Sequence, residues 1–194
     1  MSLVGFKAQN HAQQVLVHGP RSHVDDRETT PEVFDPLHER FRFTVDVAAP
    51  PHNAKLPRYF TRELDGLAQS WLGERVWCNP PYSTIEPWVV KAHAADAELV
   101  VMLVPANRTE QGWWQRHIEP HRDRPGGIRC EFLAGRLRFL APGQTHIGPN
   151  ERPPFGCALL IWGGDECPMP TRAAAEGQTD IFDLLTPNHN GGTT

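Results

Sequence analysis

Asn79, Pro80, Pro81 and Tyr82 stand in a row where a short apolar run, residues 76–78, stops. Two consecutive prolines have no N–H to donate and hold an extended backbone, so a strand arriving there must end and turn its next groups outward. The corner is rich in acceptors: the Asn79 side-chain carbonyl, and the Asn79 and Pro80 backbone carbonyls, which have no ladder to join. Tyr82 adds a flat aromatic face. Such a corner suits a planar substrate carrying an NH2 group. An exocyclic amine on an aromatic ring is a poor nucleophile because its lone pair is delocalised. Two acceptors taking its two hydrogens would favour a pyramidal nitrogen and free that pair, while a stacked ring fixes the plane. The blander reading of these residues is a proline-rich turn whose Asn79 caps a helix beginning near Ser83. A strand before the corner and a helix after it favour the chemical reading.

The elements that must position this corner can be read on either side of it. Residues 1–27, rich in Gln, His and Ser, read as an arm. Thr30 then reads as an N-cap, Pro31 as the first helical residue and Glu32 as an acid in the first turn, with Phe34, Leu37, His38 and Phe41 as a stripe. Alternation over residues 41–47 predicts a strand ending near Asp46, followed by the small-residue loop Ala48-Ala49-Pro50-Pro51. Ligands of open α/β sheets sit beyond the carboxyl ends of strands, so Asp46 is well placed for a cofactor. It could equally cap the next segment. A second short strand is expected over residues 58–61, and Asp65-Gly66 is turn chemistry before it is a ligand contact.

Beyond the corner, Ile85, Trp88, Val89, Ala92 and Ala95 trace a helix face, with Lys91 either outward or aimed back at the site. Residues 98–105 form a continuous apolar run ending at proline, the mark of a buried parallel strand. Strand, helix and strand make one right-handed crossover, which puts Arg108 on the ligand edge beside Asn79. Trp113 and Trp114 open another helix and are expected in the core, though one ring could face an extruded base. Residues 128–140 hold two strand-like pieces broken at Ala134-Gly135, residues 155–162 a final strand, and residues 141–154 a loop long enough to be functional.

A chain of 194 residues, 39% apolar and 22% charged, reads as one domain with a sizeable core. The organisation expected is an arm over residues 1–27, a domain over 28–163 and a polar tail over 164–194. No apolar run approaches membrane-spanning length and no signal-like start is present, so the expectation is a cytoplasmic protein without a membrane partner. Cys78, Cys130, Cys157 and Cys167 form no CxxC pair, which favours reduced thiols over a metal site. The net charge of −4 does not advertise nucleic-acid binding. Residues 107–138, however, carry seven arginines (108, 116, 122, 124, 129, 136, 138) against Glu110, Glu119, Asp123 and Glu131. The region is locally positive, though such a run can also be merely a solvated face.

The motif Asn79-Pro80-Pro81-Tyr82 is that of amino-methyltransferases using S-adenosylmethionine, and residues from about 29 to 162 resemble the phage-type DNA N6-adenine methyltransferases. The matching pieces include Thr30-Pro31, residues 43–49, Asn53-Ala54-Lys55, Asp65-Gly66-Leu67, residues 76–83, residues 101–106, Trp113, Gly135-Arg136 and the closing apolar strand. The resemblance implies an α/β fold: a reduced class I methyltransferase-like, doubly wound, mostly parallel sheet with one antiparallel strand. It implies Asn79, Pro80, Pro81 and Tyr82 as catalytic, with Asp46 and the Ala48 backbone bordering S-adenosylmethionine. Thr30 and Pro31 would lie near the methionine end of that cofactor, and Asp65 is a weaker candidate. The chain departs from larger relatives in having Asp46-Val47-Ala48-Ala49 where they carry a Gly-rich loop.

The expected reaction is methylation of adenine N6 in double-stranded DNA, on a base rotated out of the helix, by a phage or prophage protein in the bacterial host. No segment suffices for a separate target-recognition domain, so readout is expected from loops, with Arg108, Arg136 and Arg138 on phosphates or base edges. Cytosine N4 methylation, protein glutamine methylation and a non-catalytic binding module are the rival readings.

Overall fold

Residues 99–105 settle the architecture. All seven residues of that strand are buried, and a strand apolar on both sides must be covered on both faces. The computed structural model describes residue 25, residues 28–140 and residues 155–164. Most of the expected arm, the 141–154 loop and nearly all of the tail lie outside the described residues. In chain order the elements are β1 (Glu28–Thr29), α1 (Pro31–Phe41), β2 (Val45–Asp46), β3 (Arg75–Cys78), a 3-10 turn (Tyr82–Thr84), α2 (Glu86–Ala94), β4 (Leu99–Pro105), α3 (Gly112–His117), β5 (Arg129–Phe132), β6 (Phe139–Leu140) and β7 (Cys157–Gly163).

Five strands form one mixed sheet in the order β2-β3-β4-β7-β5. β2, β3 and β4 run parallel, while β7 is antiparallel to both β4 and β5. β7 is therefore the one reversed strand of this sheet, inserted between β4 and β5. Val100, Met102 and Val104 of β4 point to one face, where Trp88 and Val89 of α2 and Trp113 and Trp114 of α3 cover them. Leu99, Val101 and Leu103 point to the other, beneath Val33, Phe34 and Leu37 of α1. Full burial of each such side chain contributes about 1.5–3 kcal/mol, so β4 is one of the fold's larger sources of stability.

Two boundaries differ from the sequence reading. Helix α1 continues through Phe41, where a strand was expected to begin, and stops because Arg42 turns left-handed (φ 53°, ψ 54°) with its N–H on the His38 carbonyl. Phe41 and Phe43 bury against each other with ring centroids 5.8 Å apart, and Phe43 lies 5.4 Å from Trp77. The alternation of residues 41–47 thus reflects aromatic packing as much as a ladder, and only Val45–Asp46 is strand. The expected strand at 58–61 shrinks to a single parallel bridge between Tyr59 and Asp46. It is fixed by Asp46 N–H on the Arg58 carbonyl and Phe60 N–H on the Asp46 carbonyl.

That bridge gives the sheet a switch point. From β2 the chain passes outward to residues 58–60 on one side, and Leu56 on this path packs against the α1 face. It then returns past Leu67 and Trp71, which pack on the α2 face, to β3 on the other side of β2. From β3 the chain moves away from β2 through β4 to β5, and only β7 comes back, to lie between those two. The carboxyl ends of β2 and β3 consequently flank the crevice from which the connections diverge, the place where open α/β sheets bind ligands.

Candidate active site

Asn79 follows the last residue of β3 and lies half-buried at that crevice. It caps no helix: α2 starts at Glu86 after Ile85, with no side-chain cap. Its amide Nδ2 instead donates to Thr29 Oγ1 at 3.1 Å, across 50 residues of sequence. With the nitrogen turned to Thr29, the group that the amide presents on its opposite side is the carbonyl oxygen, an acceptor. Pro80 is buried, and the Pro81 carbonyl accepts Thr84 N–H to close the 3-10 turn. The Pro80 carbonyl takes no hydrogen bond among the described residues. The corner therefore does hold two acceptors, one from a side chain and one from the backbone.

Tyr82 lies edge-on to Phe155, ring centroids 6.1 Å apart at 64°. Its hydroxyl is buried, with the Cys157 thiol beside it. Burial first, then the neighbouring Cys157 and Cys78 thiols, holds the phenol well above its ordinary value. Tyr82 is consequently a neutral aromatic wall and not a proton carrier. Ser83, next in the chain, donates both its N–H and its hydroxyl to the Asp25 carboxylate.

Across the crevice, Asp46 ends β2 with 2% exposure. One carboxylate oxygen accepts Lys55 N–H at 3.1 Å and the other Ala48 N–H at 3.4 Å. Asp46 thus does what the blander reading expected, shaping the loop after β2, while its carboxylate also lines the cleft. Thr29, Ala48, Trp77 and Asn79 line the same cleft, as do Glu28 and Lys55, whose side chains pair at 2.5 Å.

Burial pushes the Asp46 carboxyl up to about 6, against the two N–H groups and the Lys55 charge. A carboxyl that titrates near 4 in the unfolded chain and near 6 in the folded one binds more protons when folded between those values. Stability should therefore fall as pH rises from about 4 to about 6 and level off above, by roughly 3 kcal/mol from this group. Denaturant unfolding across that window should show the decline in the wild type and its loss in Asp46→Asn. A wild-type minus variant difference that stays flat from pH 4 to 6 would refute the shift.

The remaining residues divide. Thr30 is buried as the N-cap of α1, where its carbonyl accepts Val33 and Phe34 N–H. Pro31 is exposed at the first helical position. Neither lines the cleft among the residues that do; their neighbour Thr29 does. Asp65 sits exposed in a left-handed turn (φ 50°), its carboxylate accepting Leu67 N–H, and lies outside that cleft lining. Lys91 turns over the Trp71 ring, 5.6 Å from its centroid.

Arg108 follows β4, and Arg136 and Arg138 lie between β5 and β6, all on the carboxyl edge. These three make no ion pair among the described residues, whereas Arg116, Arg122 and Arg129 of the same basic stretch pair with Glu86, Glu119 and Glu131. The stretch is thus partly self-neutralised and partly open. Among the described residues no cluster of His, Cys, Asp and Glu could hold a metal ion, and no helix is long and apolar enough to cross a membrane.

Sequence reasoning missed Thr29, Glu28, Lys55 and Phe155 as members of this neighbourhood. Their partners are remote in sequence, so neither spacing nor periodicity signals them.

Residues 17–162 match a family model described as DNA N-6-adenine-methyltransferase (Dam). A DNA N-6-adenine-methyltransferase of Haemophilus phage HP1 (strain HP1c1) is 36% identical over 66 residues, which are 32% of this chain and 38% of that protein. The chain thus spans under two fifths of that curated relative. Among solved structures, a candidate RNA methyltransferase from Pyrococcus horikoshii superposes with a TM-score of 0.40 at 10% identity, covering 72% of this chain and 75% of that one.

Proposed function

Since the chain belongs to the DNA N-6-adenine-methyltransferase (Dam) family, we propose that it transfers a methyl group from S-adenosylmethionine to N6 of adenine in double-stranded DNA. The fold on this reading is a reduced class I methyltransferase sheet. The site of action is the cytoplasm of a bacterium carrying the phage or prophage, in keeping with the phage origin of the relative. The observation that carries the reading is the crevice between the ends of β2 and β3, with Asp46 on one side and the acceptor corner of Asn79 on the other.

The chemistry of the lining, in a cleft of about 20 Å³, is what matches the cofactor. The loop after β2 offers only small side chains at Ala48 and Ala49, which leaves its backbone approachable, and buried Asp46 holds that loop by two N–H groups. Asp46 and the Ala48 backbone would border the cofactor, and Thr30 and Pro31 follow cleft-lining Thr29 in the chain; exposed Asp65, outside the cleft lining, is the weakest member of the set. When bound, S-adenosylmethionine supplies an electrophilic methyl on a sulfonium leaving group.

The chain's own task is positioning and polarisation. The extruded adenine stacks on Tyr82. Its two N6 hydrogens go to the Asn79 side-chain carbonyl and the Pro80 carbonyl, so the nitrogen lone pair is released toward the cleft. Pro81 keeps the corner extended and removes a competing donor. No covalent intermediate is needed.

Arg108, Arg136 and Arg138 contact the phosphates or base edges of the duplex, since they share the carboxyl edge with the corner and lack internal partners. The double variant Arg136→Ala, Arg138→Ala should weaken duplex binding and reduce the slope of log K against log salt by about 2. Fluorescence anisotropy over a salt series measures both. Unchanged affinity and slope would mark the two arginines as structural.

Long-read methylation mapping of host DNA after expression tests the activity itself. N6-methyladenine in a fixed sequence context is expected. Methylated cytosine N4 alone, or unmodified DNA, would contradict it.

A further inference from the structure

We propose that Lys55 and Glu28 take the amino-acid end of the cofactor, Lys55 holding its carboxylate and Glu28 its ammonium group. This rests on the activity proposed above. S-adenosylmethionine carries a positive sulfonium, a positive α-ammonium and a negative α-carboxylate. A cleft that binds it must supply a cation for that carboxylate, because a carboxylate taken out of water without a partner is costly. Among the described residues lining the cleft, Lys55 is the one cation. Its side chain is 11% exposed, which suits a ligand inside the cleft rather than a duplex phosphate at the surface.

The ammonium group needs a carboxylate, and Asp25, Glu28 and Asp46 line the cleft. Asp25 accepts the Ser83 N–H and hydroxyl, and Asp46 accepts the Lys55 and Ala48 N–H groups. Glu28 is the one held by the lysine itself, Lys55 Nζ donating to Glu28 Oε1 at 2.5 Å. Both backbones are anchored, Glu28 opposite Leu140 in the β1–β6 ribbon and Lys55 through its N–H on Asp46. The two side chains are long and rotatable, so their tips can part while the backbones stay. The cleft is about 20 Å³, room for little more than one water, so any ligand must widen it. Parting this pair around the zwitterion widens the cleft and leaves neither charge unpaired. Two charge-assisted contacts replace one. Glu28 and Asn79 line the same cleft, and only a short carbon chain separates the cofactor's amino-acid end from its sulfur, so this anchorage keeps the methyl within reach of the corner.

Isothermal calorimetry with three probes tests the assignment: S-adenosylmethionine, its decarboxylated form, which keeps the amine, and 5′-methylthioadenosine, which has neither group. Lys55→Met, which keeps the chain length and loses the charge, should weaken S-adenosylmethionine by about 10–100-fold, the effect of one lost charge-assisted hydrogen bond. It should not weaken the decarboxylated form. Glu28→Gln should weaken both amine-bearing probes about tenfold. Binding of 5′-methylthioadenosine to either variant should stay within about twofold of wild type, which shows the cleft intact. None of these readouts needs methyl transfer.

Undiminished binding of S-adenosylmethionine by Lys55→Met or Glu28→Gln, or an equal loss of all three probes, would overturn the assignment. The activity beneath it is judged separately, by methyl transfer in the wild type. A wild type that transfers the methyl while Lys55→Met binds the cofactor at full strength sinks this assignment alone, whereas a wild type that binds no S-adenosylmethionine sinks both.

Discussion

Asn79→Ala should reduce methyl transfer by about 10²–10³-fold while leaving S-adenosylmethionine affinity within a few fold. The expectation follows from what the side chain does on the proposed reading. Its carbonyl takes one of the two N6 hydrogens, and that interaction strengthens as the nitrogen becomes pyramidal, so its loss falls on the transition state more than on binding. Removing one such preorganised polar group from a closed site costs on the order of 10²–10³ in kcat. The variant should fold, because Asn79 is only half-buried and supports no helix start. Single-turnover transfer rates and calorimetric cofactor binding, measured together, make the comparison. Near-normal turnover in Asn79→Ala would remove the residue from the mechanism. Lost cofactor binding with lost turnover would make it a cofactor ligand instead.

At Tyr82 the expected effects split by substitution. Tyr82→Phe should keep turnover within about threefold, because burial keeps the hydroxyl neutral and its neighbour is the Cys157 thiol, a weak partner. Tyr82→Ala should cost about 10–100-fold in kcat/KM for DNA, since stacking of a base on an aromatic ring is worth about 1–3 kcal/mol. The loss should be least on a duplex whose target adenine faces a mismatch, where less unstacking energy is required. Steady-state rates on matched and mismatched duplexes measure this. If Tyr82→Phe were as poor as Tyr82→Ala, the hydroxyl would be taking part in the chemistry.

Much of this architecture was legible in the sequence, for reasons that differ by element. Residues 99–105 announced a buried strand because both faces of β4 are covered, and no other environment tolerates that run. The corner at 79–82 was legible because proline cannot continue a ladder. Trp113 and Trp114 fell in the core, as large rings at helical spacing usually do.

The failures have equally local causes. Helix α1 overran its expected end because the residue that stops it, Arg42, is left-handed without being glycine, so nothing in its identity marks the turn. The contact between Asn79 and Thr29 depends on a ribbon of two-residue strands, too short for any alternation to register. Tyr82 meets Phe155 only because β7 returns antiparallel between β4 and β5, a topological fact with no local signature. At Asp46 the loop-shaping reading describes the residue, and the same carboxylate lines the cleft.

The basic stretch shows how a charge count can mislead in either direction. Three of its seven arginines, Arg116, Arg122 and Arg129, are spent on internal acids, while Arg108, Arg136 and Arg138 remain on the edge that carries the corner. The net charge of −4 therefore says little about that edge.

The most direct test is to incubate the purified chain with duplex DNA and methyl-labelled S-adenosylmethionine, digest the DNA to nucleosides and locate the label by mass spectrometry. Label in N6-methyladenine is the expected result. Label in N4-methylcytosine, label confined to protein, or transfer that persists undiminished in Asn79→Ala would contradict an acceptor corner built to activate the adenine amine.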